Sequence, residues 1–112
     1  MLPRQNRLTK ERDFNQTFRL GKSCFAKLLG IKAKKNNLAN SRFGIVVANK
    51  VTKKATQRNK VKRQLREVIH GELKRVRPGY DFLIIALPAI NDQSYEKIEK
   101  EVKNCLTKLN VF

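Results

Sequence analysis

"QRNKVKRQLREVIH", residues 57–70, decides the fold and poses the functional question. Val61, Leu65, Val68 and Ile69, with Leu73 just beyond, recur at i, i+4, i+7 and i+8, which makes one stripe of a helix apolar. Asn59, Arg63, Arg66 and His70 recur at i, i+4, i+7 and i+11. At about 100° per residue they point roughly 130° away from that stripe. The period predicts a helix over about 56–75 that packs on a sheet by one face and presents a basic, hydrogen-bonding ridge on the other, with Lys62 and Lys74 flanking it. Its charges oppose helix electrostatics. Arg58, Lys60, Lys62, Arg63 and Arg66 arrive before the first acid, Glu67, although a helix N-terminus carries about +0.5 of a charge and favours carboxylates. Such a local conflict marks a place where a partner supplies what the fold lacks.

The same sign extends well beyond the helix. From Phe14 through Arg66 there are fifteen Lys and Arg and no carboxylate, and the 112-residue chain carries a net +17. Ordinary surfaces intersperse both signs, and a field this uniform repels itself until a polyanion neutralises it. Nucleic acid is the first candidate and an anionic membrane surface the second. The membrane is disfavoured because the basic stretch lacks the bulky apolar face that interfacial helices use. No run of about 18 apolar residues occurs, and "MLPRQNRLTK" has no apolar segment of a secretory signal. Cys24 and Cys105 lack CxxC spacing; as free thiols in core or neutral positions they suit a reducing cytoplasm. The length suits one small domain over 1–112.

The flanking segments predict the remaining elements. Thr9 offers an N-cap for a helix to Leu20, with Phe14 and Phe18 four residues apart and Gly21 closing it. Residues 24–35 read as one strand with irregular alternation, 36–40 as a turn, and 41–50 as a β-branched strand leading through the basic 51–56 into the helix. Pro78 and Gly79 turn the chain into a buried strand over 80–88. A last helix begins near Asp92, with Tyr95, Ile98, Val102, Cys105, Leu106 and Leu109 as its apolar stripe and Glu96–Lys100 and Glu99–Lys103 as ion pairs. The order α-β-β-α-β-α indicates α+β with helices against a small sheet.

Residues for independent catalysis are missing. His70 is the one histidine, so a two-histidine ribonuclease mechanism is excluded, and His70 reads as a surface hydrogen-bonder. The glutamates of the last helix alternate with lysines, Glu67 reads as an ion-pair partner of the basic ridge, and no Walker A loop or HExxH occurs. No catalytic or metal-ligating residue is assigned. Binding remains. The amides at the helix start with Arg58 and Lys60 form an anion site, continued by Lys62, Arg63 and Arg66 and approached by Lys50, Lys53 and Lys54. Asn59 offers a donor and an acceptor to sugar or base edges.

"RNKVKRQLRE", 58–67, closely resembles the signature helix of the bacterial ribonuclease P protein subunit, RNRxKRxxRE. "NRLTKERDFNQTF", "SRFGIVVANK" and "GYDFLIIA" resemble further segments of that family in its order, so the resemblance spans about 6–110. It implies a single-domain α-β-β-α-β-α sandwich with a left-handed β-α-β crossover, of the kind seen in domain 2 of ribosomal protein S5, against the usual right-handed rule. It implies a protein partner of a catalytic RNA that removes 5′ leaders from precursor tRNA, with the RNA carrying the Mg²⁺-dependent hydrolysis. It places Arg58, Asn59, Lys60, Lys62, Arg63 and Arg66 on the catalytic RNA. It also assigns the single-stranded leader to a cleft between the first helix and the sheet, where Phe14 and Phe18 serve as stacking rings or as core anchors. Lys60 stands where the family usually has Arg, keeping the charge without the bidentate fork. The first strand lacks the family's mid-strand aromatic ring, so leader contacts there fall to Phe25, Lys27 or Lys32. A ribosomal or other structural RNA-binding protein is the alternative; DNA is disfavoured, because neither helix-turn-helix spacing nor a dimerisation heptad occurs.

Crowded cations at a helix start make the free protein sensitive to anions. Millimolar sulfate at fixed ionic strength is expected to raise the melting temperature by binding the native state; a melting curve that does not move would exclude the anion site.

Overall fold

Strands and helices follow the period of the sequence in a computed structural model that describes residues 2–112. A single 3-10 turn (Arg4–Asn6) precedes α1 (Glu11–Leu20), followed by β1 (Lys22–Phe25), β2 (Leu29–Lys35), β3 (Arg42–Val46), α2 (Ala55–Glu72), β4 (Tyr80–Ala86), a second 3-10 turn (Pro88–Ile90) and α3 (Tyr95–Lys108). The strands form one sheet in the order β1-β2-β4-β3. β1–β2 and β2–β4 are antiparallel and β3–β4 parallel, so α2 is the crossover of a β-α-β unit in an α+β fold.

One expected strand is two. Residues 24–35 fold as a hairpin, because the apolar parity changes at its centre. Cys24 faces the same side as Ile31, but the buried side chains of β2 are odd-numbered: Leu29, Ile31 and Ala33. The chain turns between them, with the Ala26 amide donating to the Leu29 carbonyl at 2.9 Å and the Leu28 amide to Glu101 Oε1 at 3.0 Å. Other boundaries move by a few residues. Lys10 rather than Thr9 precedes α1, without a side-chain cap. Ser94 rather than Asp92 caps α3, its Oγ accepting from the Lys97 amide at 3.3 Å, while Asp92 occupies a left-handed turn at φ 61°. α2 ends at Glu72, whose carbonyl accepts from the Arg75 and Val76 amides in a tightened last turn. Tyr95 is more exposed than its place in the apolar stripe predicted.

Strand alternation divides the sheet into two faces. Leu29, Ile31, Ala33, Phe43, Phe82, Ile84 and Ala86 form the core with Val61, Leu65, Val68 and Ile69 of α2 and Ile98, Val102, Cys105 and Leu106 of α3. Phe43 and Phe82 stack at 4.7 Å between ring centroids. Leu83 and Gly44 face the other side, where α1 crosses. Gly44 admits the Phe14 ring, since a Cβ there would lie 2.5 Å from Phe14 Cζ and 3.0 Å from a Leu83 methyl.

Arg42 fastens α1 to this face. Its guanidinium donates from Nε and Nη2 to Asp81 at 2.8 and 2.7 Å and from Nη1 to Asp13 of α1 at 3.3 Å. Asp81 also accepts from Asn36 Nδ2 at 2.8 Å. The Asp81 hydrogen bonds, against some desolvation, push the Arg42 pKa up. Arg42→Ala would leave the buried Asp81 facing only Asn36. By the usual cost of breaking a buried pair, urea unfolding is expected to show a loss of roughly 3 kcal/mol, with Arg42→Lys losing less; equal stability of Arg42→Ala and the parent would refute the fastening role.

Cys105 is sealed beneath β1, its thiol donating to the Cys24 carbonyl at 3.4 Å. Burial first, then the neighbouring Cys24, pushes the thiol up to about 12 from an ordinary 9.0. Below about pH 9 the thiol is neutral whether folded or not; between 9 and about 12 only the unfolded chain releases the proton, so stability falls as pH rises through that window. At pH 8 alkylation of Cys105 is expected to be more than about tenfold slower in the native than in the unfolded chain, since the thiolate is the nucleophile. Mass spectrometry of iodoacetamide-treated protein measures this directly, and equal rates would contradict the seal.

Candidate nucleic-acid interface

α2 begins with little that satisfies its N-terminus internally: the Thr52 hydroxyl accepts from the Lys54 amide at 3.3 Å. Lys54 holds the N-cap position with no capping side-chain bond, and no acid lies in the first turn. Asn49, Lys50, Lys53 and Arg58 surround a cleft of about 380 Å³ beside it. Arg58 also works on the loop, donating from Nη1 to the Thr52 carbonyl at 2.9 Å. From below, Asn91 Nδ2 donates to the Val51 carbonyl at 2.5 Å and to the Pro88 carbonyl at 3.0 Å. The loop that carries Lys50 and Lys53 is thus tied at two consecutive carbonyls. Along the helix, Asn59, Lys60, Arg63, Arg66 and His70 are exposed and Lys62 is partly so. Lys54 is exposed as well. Glu67, expected to pair with this ridge, makes no ion pair among the described residues.

The face opposite the core carries a second surface. α1 covers Lys32, Leu83 and Gly44 of one row, with Ser23 exposed at its end, and leaves the next row, Phe25–Gly30–Ile85–Val46, beside it. That row crosses all four strands, about 14 Å at ordinary strand spacing. Phe25 is 55% exposed and lies over Gly30, where any Cβ would overlap its ring; Ile85 and Val46 are half-buried. Phe18 is also 55% exposed and so is no core anchor. Lys32 Nζ sits 4.6 Å from its ring centroid and donates to its carbonyl at 2.9 Å. Phe18, Phe25 and Lys32 therefore share one open track. Phe14, by contrast, is half-buried against Gly44 and belongs to the packing of α1. Lys27 lies elsewhere, in a hollow of about 270 Å³ with Gln93, Lys97 and Lys100 at the edge of α3.

The two surfaces meet around the edge strand β3. A cleft of about 370 Å³ has Phe14 on one wall and Lys62 and Arg66 of α2 on the other, with Arg7, Thr9 and Ile45 between them. The N-terminal segment reaches this place by pairing along β3, the Leu8 amide donating to the Phe43 carbonyl at 2.9 Å. Sequence reading missed Asn49, Arg7, Gly30, Val46 and Ile85. Val46 and Ile85 carried no signal, because β4 is apolar on both faces and alternation cannot separate lining from core. Gly30 had one, as a glycine inside a strand marks close approach. The assembled groups are ammonium, guanidinium, amide and aromatic ring, the set that holds phosphates and stacks unpaired bases.

A family model described as Ribonuclease P matches residues 2–110. Among curated relatives, the ribonuclease P protein component of Synechocystis sp. is 36% identical over 99% of this chain and 90% of its own. That of Clostridium botulinum is 36% identical over 97% of this chain and 98% of its own. Among solved structures, a Staphylococcus aureus RNase P protein mutant with defective mRNA degradation activity superposes with a TM-score of 0.88 at 27% identity, covering 96% of this chain and 91% of that one. The RNase P protein from Thermotoga maritima in complex with 1-(4-fluorophenyl)-2-thiourea does so with a TM-score of 0.82 at 33% identity, covering 89% and 96%.

Proposed function

Because this chain belongs to the ribonuclease P protein-component family, we propose that it is the protein subunit of a cytoplasmic tRNA-processing ribonucleoprotein, binding a catalytic RNA and the 5′ leader of precursor tRNA. The observation that carries this reading is the pair of distinct RNA-facing surfaces joined at the edge of β3. Exposed Asn59, Lys60, Arg63 and Arg66 with Lys50, Lys53 and Lys54 suit the phosphates of a folded RNA. The track of Phe18, Phe25 and Lys32 suits a single strand, whose bases stack on rings while lysine neutralises the backbone. Lys62 and Arg66 stand where the two surfaces meet, close to where leader and catalytic RNA would adjoin.

Cleavage on this reading requires Mg²⁺. Neither cleft of the interface is lined by a carboxylate, the group that Mg²⁺ takes from proteins. The metal is therefore assigned to RNA and substrate phosphates, and the protein's part is to hold both strands and screen their repulsion.

Stimulation of precursor-tRNA cleavage by the catalytic RNA at low Mg²⁺ tests the role itself; no stimulation would favour the alternative of a structural RNA-binding protein. Two variants test the division of labour. Phe25→Ala is expected to weaken holoenzyme binding of leader-bearing tRNA by about 1–3 kcal/mol, the range for a lost stack, while mature tRNA and catalytic RNA bind as before. Arg63→Ala is expected to weaken catalytic-RNA binding and flatten its dependence on log[salt] by about 0.9, on duplex calibration. Equal losses of Phe25→Ala for leader-bearing and mature tRNA would move the leader off this track.

A further inference from the structure

The end of the sheet remote from the start of α2 holds another basic hollow. Since β3 and β4 run parallel, α2 starts beyond their carboxyl ends and returns the chain to Tyr80 at the opposite end. There Leu20, Lys22, Lys34, Lys35, Tyr80 and Leu109 line a space of about 210 Å³ between the sheet and the last turn of α3. It is separate from the leader track. Tyr80 and Ile85 lie five residues apart on β4, about 17 Å at ordinary strand rise, with α1 crossing between those levels.

Three features of this hollow point to one kind of ligand. No carboxylate lines it, and among the described residues Lys22, Lys34 and Lys35 make no ion pair. Lys34 bonds only the Lys35 carbonyl, at 3.2 Å; Asp81, opposite Lys34 in the β2–β4 register, is held by Arg42 and Asn36. The floor is apolar, with Leu20 64% exposed and Tyr80 and Leu109 half-buried. The size suits one flat ring system: about 210 Å³ is below the roughly 300 Å³ at which pockets for drug-sized molecules begin. Cations at the rim with an aromatic and aliphatic slot inside are how proteins hold unpaired nucleotides.

We propose that this hollow is a further single-stranded RNA site, seating one unpaired base between Leu20, Tyr80 and Leu109 with its flanking phosphates on Lys22, Lys34 and Lys35. A peptide of Asp and Glu alone would satisfy the lysines but brings no ring for the slot. Occupied together with the start of α2, the site would let RNA engage both ends of the sheet.

Photo-cross-linking of a short unstructured thiouridine-containing RNA to the full chain, with residue-level mapping by mass spectrometry, tests the site. Cross-links are expected both on the leader track, at Phe18 or Phe25, and separately at Tyr80 or Leu109. The double variant Lys34→Ala/Lys35→Ala should lower the second set at least about fivefold and leave the first unchanged, and salt dependence of binding should fall by roughly 0.7 per lysine lost. Circular dichroism should be unaltered, since neither ammonium holds another element. Cross-links confined to the leader track, or a second set indifferent to the double variant, would overturn the proposal while leaving the subunit role to its own cleavage assay. So would a glutamate oligopeptide that clears the RNA from this hollow and not from the leader track, for the site would then read carboxylates.

Discussion

Arg42, gripped by carboxylates from two layers, sets where everything on the outer face can lie. Asp81 stands beside it in register on β4, and Asp13 reaches it from the first turn of α1. With Asp13 fixed, Phe14 falls on Gly44 and Phe18, one turn later, beside Lys32. The helix then covers one row of the sheet and leaves the next open. The open track of Phe18, Phe25 and Lys32 is the part of the sheet that α1 is prevented from covering. An arginine suits this post better than a lysine, because two of its nitrogens serve Asp81 while a third remains for α1.

Five of the nine acids of the chain are tied into the fold. Asp13 and Asp81 hold Arg42; Glu72, buried at the end of α2, meets Lys103 and Arg75 at 3.5 Å; Glu99 meets Lys103; and Glu101 accepts from the hairpin turn through Leu28. These carboxylates work within the fold, away from the start of α2. The start of α2 has none of them in its first turn, so its cations stand there without a carboxylate.

Much of this was legible in the residues. The 3.6 period of α2 separated the core stripe from the exposed ridge correctly, because from Val61 to Ile69 the buried side is apolar throughout and the ridge is polar. The edges of elements were less legible, since Thr9 and Asp92 are as good caps by composition as the cap of α3, Ser94, and tertiary bonds decide between them. The hairpin was written in the parity change between Cys24 and Leu29, which reads as irregularity until the turn is seen. Phe14 and Phe18 could not be told apart by spacing, as both lie on the sheet-facing side of α1; what separates them is a glycine under one and a lysine under the other. The linkage of Arg42 to Asp13 and Asp81 joins residues 29 and 39 positions apart, a distance over which no local pattern operates.

Asn91 bears on how quickly the basic loop can act. By binding the Val51 carbonyl it holds the backbone between Lys50 and Lys53 in place before any partner arrives. The bond is made at some cost, for the Asn91 Oδ1 is buried without a partner of its own. A loop left free would lose about 1–2 kcal/mol of backbone entropy for each residue fixed on association. Here that ordering is completed when the chain folds, so any ligand of this loop would meet ammonium groups whose backbone is already in position.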